Sequence, residues 1–234
     1  LALIGTLLAA TAFLVINSTP LTALGISTVI IGAVSFAITR GQTKISPETS
    51  AILLQSGVEN ISALVEELGL RSKAVYLPSS ITGDKPKALI PLESNFELNS
   101  KVLPKRLIVK FGPKPDAMGL LVVTPGSAVS GMAEAKADYS AGDLESAVSS
   151  VLSGSINLAD GARVTLDADI VRVEVSNPRL ENKKMWVYES LGTPIASIVA
   201  SVVAEVSGKP IQISNERVSR GKCFIELKMV ELSP

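Results

Sequence analysis

The sequence predicts an α+β protein: an N-terminal transmembrane helical hairpin followed by a mixed α/β cytoplasmic domain with mainly antiparallel strands. Three observations carry this expectation. Every Lys, Arg, Asp and Glu of the 234-residue chain lies at or after Arg40, so residues 1–39 are uncharged. From there on, short runs of Val, Ile and Leu alternate with stretches of helical period, divided by Gly and Pro. Lastly, 47% of the residues are hydrophobic and the mean hydropathy is +0.39, a composition that collapses into a core and excludes disorder.

Residues 1–16 form the first apolar run, relieved only by Thr6 and Thr11, and Asn17-Ser18-Thr19-Pro20 interrupts it. The second run, residues 21–39, is about 28 Å long as a helix, close to one hydrocarbon thickness. A cleaved signal peptide accounts for one such run but not for two. The first run is shorter than a span, and because the chain opens at Leu1 without an initiator Met, further residues are expected before it. Asn17-Ser18-Thr19 matches a glycosylation sequon, but beside Pro20 it reads as the cap of a turn with Pro20 early in the next helix. Arg40 and Lys44 follow the second run and no basic residue lies in the turn, so both ends of the hairpin are expected in the cytoplasm. The expected division is a hairpin over 1–39, with helices at 1–16 and 21–39, and a cytoplasmic body over 40–234.

Small residues recur along both runs: Gly5, Ala9 and Ala12 on the first, Gly25, Gly32 and Ser35 on the second. Their spacing of three, four and seven gathers them on one face, where backbones approach closely in lipid. That face suffices for packing within the hairpin. The expectation at this point is that Gly25 and Gly32 also meet a neighbouring chain and build a homo-oligomer. No ionisable residue lies at membrane depth, which argues against an ion or proton path.

In the body, Ser46-Pro47-Glu48 starts a helix that carries Leu54, Val58, Ile61, Val65 and Leu68 on one face and stops at Gly69. Strands are expected at 74–77 and 88–90, each closed by a proline (Pro78, Pro91), which suggests sheet edges or early termination. Gly83-Asp84 reads as the turn between them. Two more strands, 107–111 and 118–123, flank a proline-rich loop, and the second is apolar on both faces, hence central. Thr124-Pro125-Gly126-Ser127 opens a helical stretch, and a second one covers 143–152. Residues 163–175 read as the longest strand signal, whose change of phase places a bulge or bend near Asp169. Thr193-Pro194 starts a helix through Ile195, Ile198, Val202 and Val206 that ends at Gly208. A hairpin turned at Ser219-Arg220-Gly221 then puts Cys223, Ile225, Leu227 and Met229 on one face. The order helix, glycine, strand, turn, strand occurs at 47–92 and again at 194–232, as two α-β-β units.

Chemistry is sparse. Histidine is absent, which removes the commonest base and metal ligand, and the single cysteine excludes a disulfide framework. Twenty-two basic residues against 22 acidic ones leave no net field for nucleic acid. The single glycine at 124–127, with no lysine beside it, reads as an ordinary turn rather than a phosphate cradle. Asp160, Asp167 and Asp169 lack the loop spacing of a calcium site. Cys223, on an apolar face, is expected to act as a small core hydrophobe with a raised pKa. No catalytic residue, cofactor or metal site is expected. Trp186 and Tyr188, in Met185-Trp186-Val187-Tyr188, are expected in a core strand or as the lining of a pocket or interface.

Certain stretches carry a resemblance: Glu67-Leu68-Gly69-Leu70, Val75-Tyr76-Leu77-Pro78, Leu89-Ile90-Pro91, Pro194-Ile195-Ala196-Ser197 and Gly208-Lys209-Pro210. Through them the chain resembles, over nearly its whole length, an uncharacterised family of archaeal membrane proteins seen especially in haloarchaea, with two N-terminal membrane helices and a cytoplasmic domain. Those relatives are very acidic and this chain is neutral, which points to a source that is not a halophile. The last forty or so residues are also similar to the end of four-vinyl-reductase-type ligand-binding domains. The resemblance implies a cell-membrane, multi-pass protein with its soluble domain in the cytoplasm, and names no activity. Two functions are therefore carried forward. One is a membrane-anchored, non-enzymatic scaffold that self-associates laterally in the lipid bilayer. The alternative is a membrane-bound sensor or binding module whose body holds a small apolar ligand or a protein partner.

Overall fold

The computed structural model describes residues 2–41, 47–93, 98, 102–112, 117–132, 139–180 and 185–232. Two compact units divide the chain, Leu1–Gly57 and Val58–Pro234. Ser46, expected to cap a helix, and most of the proline-rich loop at 112–116 lie outside the described residues.

In the first unit, α1 (Ala2–Thr11) runs on as a wider π-helical turn over Ala12–Ile16 and stops at Asn17, whose φ of +52° is left-handed. Asparagine visits that region more readily than most residues because its short polar side chain bonds locally. Next, α2 (Thr19–Gly41) starts two residues ahead of the second apolar run and includes Pro20 in its first turn, where no backbone bond is lost. The first part of α3 (Pro47–Glu67) completes the unit.

The second unit is built on one antiparallel eight-stranded sheet of order β3-β4-β2-β1-β7-β8-β6-β5. Its strands are β1 (Val75–Leu77), β2 (Lys87–Pro91), β3 (Ile108–Lys110), β4 (Met118–Val122), β5 (Gly161–Asp167), β6 (Ile170–Ser176), β7 (Ile211–Ser219) and β8 (Lys222–Met229). Pairing of β1 with β7, Val75 opposite Gln212, joins the two halves of the sheet. Residues 47–92 run α3, β1, the short helix α4 (Ser79–Thr82) and β2, while residues 194–232 run α8 (Pro194–Ser207), β7 and β8.

α3 ends in a double bond pattern, Leu70 N–H to Val65 C=O and Gly69 N–H to Glu66 C=O, with Gly69 at φ +63°. This is a Schellman closure, and its apolar partners Val65 and Leu70 both sink into the core. α8 is the core helix. Thr193 caps its start by accepting from Ala196 N–H, Gly208 ends it at φ +65°, and twelve of its residues are buried. Residues Val187–Ser207 are long and apolar enough to cross a bilayer, but they are mostly buried inside this body. The remaining helices are α5 (Pro125–Val129), α6 (Ala141–Ser149) and α7 (Val187–Leu191), and α6 runs on as a π turn over Ser150–Ser155.

One face of the sheet carries the main core, which includes Tyr76, Ile90, Leu120, Val173, Ile213 and Leu227. Among the described residues the other face is covered over the β1–β4 half, where Val75, Leu77, Leu89, Val109 and Leu121 pack with Ile81, Leu103 and Phe111. Burial on both faces explains why β1, β2 and β4 read as unbroken apolar runs although they are antiparallel.

Three expectations are corrected. Of the two readings of Pro78 and Pro91, edge placement is overturned, since β1 and β2 lie in the interior of the sheet and β3 and β5 at its edges. Early termination fits, because both prolines fall at strand ends, where a missing donor costs little. Residues 163–175 are not one bulged strand but the hairpin β5–β6. A two-residue turn, Ala168-Asp169, with Ala168 at φ +48°, produces the change of phase. Residues 185–188 lead into helix α7 rather than forming a core strand.

Candidate functional site

In the hairpin unit the small residues do their work inside one chain. A Cβ at Gly25 would lie 2.6 Å from the Ala9 backbone nitrogen, and one at Gly5 would lie 2.8 Å from that of Val29. Gly32 is pressed against Ala2 in the same way, and Ala12 is fully buried. Gly5, Ala9, Ala12, Gly25 and Gly32 thus line the α1–α2 seam within one chain. Ser35 stands one turn further along α2 and is exposed.

The outward surface of the pair is apolar: Leu3, Leu7, Phe13, Leu14, Leu24, Ile30, Ile31 and Phe36 are all at least half exposed. Hydroxyls on these helices bond to their own backbone. Thr6, Thr11, Thr22, Ser27 and Thr28 each donate to a carbonyl three or four residues earlier. Such internal satisfaction is what a non-aqueous surrounding demands. Thr19–Ala37 has the length and composition of a membrane span.

In the body, a β-bulge organises the most polar junction. Ile213 pairs with Leu227 but Asn215 pairs with Glu226, so Ser214 is an extra residue in β7. An inserted residue moves all later side chains to the opposite face. Glu216 and Val218 are thereby turned to the core side, and the Glu216 carboxylate lands on the N-terminus of α8. There it accepts from Thr193 N–H at 3.1 Å and from the Thr193 hydroxyl, and Cys223 Sγ lies 3.7 Å away. A carboxylate at this end of a helix satisfies orphan donors and complements the dipole. Glu205 does the same for α4, accepting from Ser79 N–H at 2.8 Å and from the Ser79 hydroxyl. Lys73 Nζ fixes the bulge by donating to Ser214 C=O.

Two hollows flank the Glu216–Thr193 contact. The larger, about 480 Å³, is lined by Pro178, Leu180, Ile195, Val218 and Cys223, with Asp160 and Arg179 among its polar side chains. The smaller, about 160 Å³, is lined by Lys73, Tyr188, Gly192, Ser214 and Glu216. Tyr188 is half-buried against the core, whereas Trp186 is 36% exposed and lines neither hollow, so the two aromatics are separated. Cys223 is buried in the position expected of a core hydrophobe. Burial, then the Glu216 carboxylate, pushes its thiol up to about 12, which keeps it neutral at pH 7.

The three aspartates disperse. Asp160 bonds to Asn177 and Arg179, and these bonds lower its pKa, while Asp167 faces Arg172 at 3.5 Å. Among the described residues no three His, Cys, Asp or Glu side chains gather as metal ligands. Thr124 and Ser127 close a capping box on α5, a five-residue helix whose start is satisfied from within.

The uncovered face of β5–β8 is a ladder of cross-strand pairs. Arg163, Glu174, Phe224 and Arg217 stand side by side, and Arg217 lies 5.5 Å over the Phe224 ring. Arg172 meets Glu226 at 3.3 Å, and Lys222 meets Glu174. Thr193 is read from the sequence as the start of α8, but its contact with Glu216 is not, although the step from Ile211 and Ile213 to Val218 breaks the alternation and marks the bulge.

The profile of a family described as a domain of unknown function, DUF7982, matches residues 1–228. No curated protein and no solved structure matches the chain.

Proposed function

This chain belongs to the DUF7982 family, and from the geometry of that domain we propose a membrane-anchored, non-enzymatic structural protein. The hairpin lies in the bilayer, and the α+β body stands in the cytoplasm and receives polypeptide partners. The observation that carries this reading is the hairpin surface, uncharged and apolar outward, with its hydroxyls bonded to backbone and its small residues turned inward. The likeness to archaeal membrane proteins and the basic residues Arg40 and Lys44 after α2 support the same orientation. In this reading a homo-oligomer is built by the bodies, because the outward hairpin side chains are large and lipid gives them no drive to associate.

Carbonate extraction at high pH tests the anchor: the chain is expected to stay with the membranes. A Ser18→Cys variant made on a Cys223→Ser background tests orientation, and an impermeant maleimide is expected to label it in intact cells. Release by carbonate overturns the anchor; labelling only after permeabilisation overturns the topology.

A further inference from the structure

The two edges of the sheet are finished differently. In β5 the groups that point away from β6 belong to Ala162, Val164 and Leu166, and side chains of α6 occupy those of Ala162 and the N–H of Val164. Ser149 Oγ accepts from Ala162 N–H and donates to Ala162 C=O, both at 3.1 Å, and Val164 N–H donates to Glu145 Oε2 at 2.8 Å. Over Ala162 to Val164 this edge is closed against strand addition.

At the β3 edge the corresponding groups are open. Leu121 N–H bonds to Leu107 C=O and Phe111 N–H bonds to Ala117 C=O, so residues 107, 109 and 111 face β4. Alternation then turns the N–H and C=O of Ile108 and Lys110 outward, and no described residue pairs with them. The side chains here are of two kinds. Ile108 is 52% exposed, and with Met118 and Leu92 it forms an apolar patch on one face, Leu92 N–H bonding to Met118 C=O. Lys105, Arg106 and Lys110 are exposed around the strand, and among the described residues none of them is in an ion pair. Glu93 follows Leu92 at the far end of the patch.

We propose that the β3 edge is a docking site for an extended segment of another protein, apolar at its centre and acidic at its ends, which adds to the sheet as an antiparallel strand. Backbone bonds to Ile108 and Lys110 hold the segment, Ile108, with Met118 behind it on β4, takes its apolar side chains, and Lys105, Arg106 and Lys110 meet its acidic ends. A second copy of this chain is the poorer occupant. Antiparallel pairing of two β3 edges about Ile108 sets Arg106 of each copy opposite Lys110 of the other, and like charges across strands repel. This inference rests on the partner-binding reading of the body and is independent of the anchor.

The test uses the full chain in mild detergent and a short fluorescent peptide that alternates valine and threonine between glutamate ends. Expected is saturable binding by anisotropy, with slowed hydrogen exchange at the Ile108 and Lys110 amides. A lysine-ended peptide, and one N-methylated at alternate amides, should each bind at least about tenfold more weakly. Reversal of the three exposed basic residues (Lys105→Glu, Arg106→Glu, Lys110→Glu) should invert the preference between the two charged peptides without changing the melting temperature. The proposal is overturned by no binding at about 1 mM peptide, by equal binding of the two charged peptides, or by retained affinity after N-methylation. It is equally overturned if the edge is protected without peptide in a concentration-dependent dimer, which would seat a second copy there. Carbonate release removes the anchor and leaves this site standing, so the two failures are distinguishable.

Discussion

At Cys223 a thiol and a carboxylate share a buried corner, and the sign of their coupling can be worked out. The folded pKa, about 12, stands above the ordinary 9.0. The neutral thiol therefore contributes stability in full below about pH 9, and that contribution is lost as pH rises toward 12. Cys223→Ser is expected to lower stability at pH 7 by about 1 kcal/mol, because a hydroxyl sits worse than a thiol on an apolar face. Urea unfolding of both proteins should show the difference shrinking above pH 9. Tyr76, also raised by burial and bonded to Leu191 C=O, titrates in both proteins and cancels. A constant difference across that range would show that the thiol is not held as described. Alternation in β8 made the burial of Cys223 legible in the sequence. Its neighbour Glu216 was not, since the break of alternation between Ile213 and Val218 signals a bulge without saying which residue is inserted or what Glu216 then meets.

Elements raise a different question, namely which surfaces are already taken. Because Gly25 and Gly32 face α1 of their own chain, Gly25→Leu and Gly32→Leu should pry the hairpin apart. The expected result in mild detergent is loss of protease resistance in residues 2–41, with no fall in particle mass by mass photometry. A smaller particle with an intact hairpin would instead place these glycines between chains. For the body, the α6 side chains that close β5 can be removed together. The pair Ser149→Ala and Glu145→Ala should speed hydrogen exchange at Ala162 and Val164 selectively, and unchanged exchange would mean that other groups protect the edge. Helix limits were the most legible part of the chain: Gly69, Thr193 and Gly208 act through local φ and capping, which depend on few neighbours. The β5–β6 turn was harder to see, because Ala168 carries no turn signature and a two-residue reversal shifts phase as a bulge does. Likewise, Met185 to Tyr188 carry strand-forming residues, and tertiary context made the segment helical.

For the whole molecule, the α+β class and the uncharged N-terminal pair followed from charge and period alone, while strand order did not. Proline signalled edges at β1 and β2 because propensity reports a missing donor and not the neighbour count, and the covering of a second face over half the sheet depends on contacts remote in sequence. One such contact, β1 against β7, has a consequence for synthesis. Val75 leaves the ribosome long before Gln212, its partner, exists. The hairpin is made before the body, and under the anchoring proposed above it meets lipid while the body is still a nascent chain. During that interval β1 and β2 have no β7 beside them and the core has no α8, so half of the sheet waits with a raw flank. Such pairing over a long loop is slow to close, and a nascent chain that exposes strand edges is prone to aggregate. A tether to the bilayer before closure, as proposed, would limit how freely two half-made chains can meet. On that proposal the anchor would act on the folding of the body as well as on its address, and release of the last two strands, β7 and β8, is the event that completes the sheet.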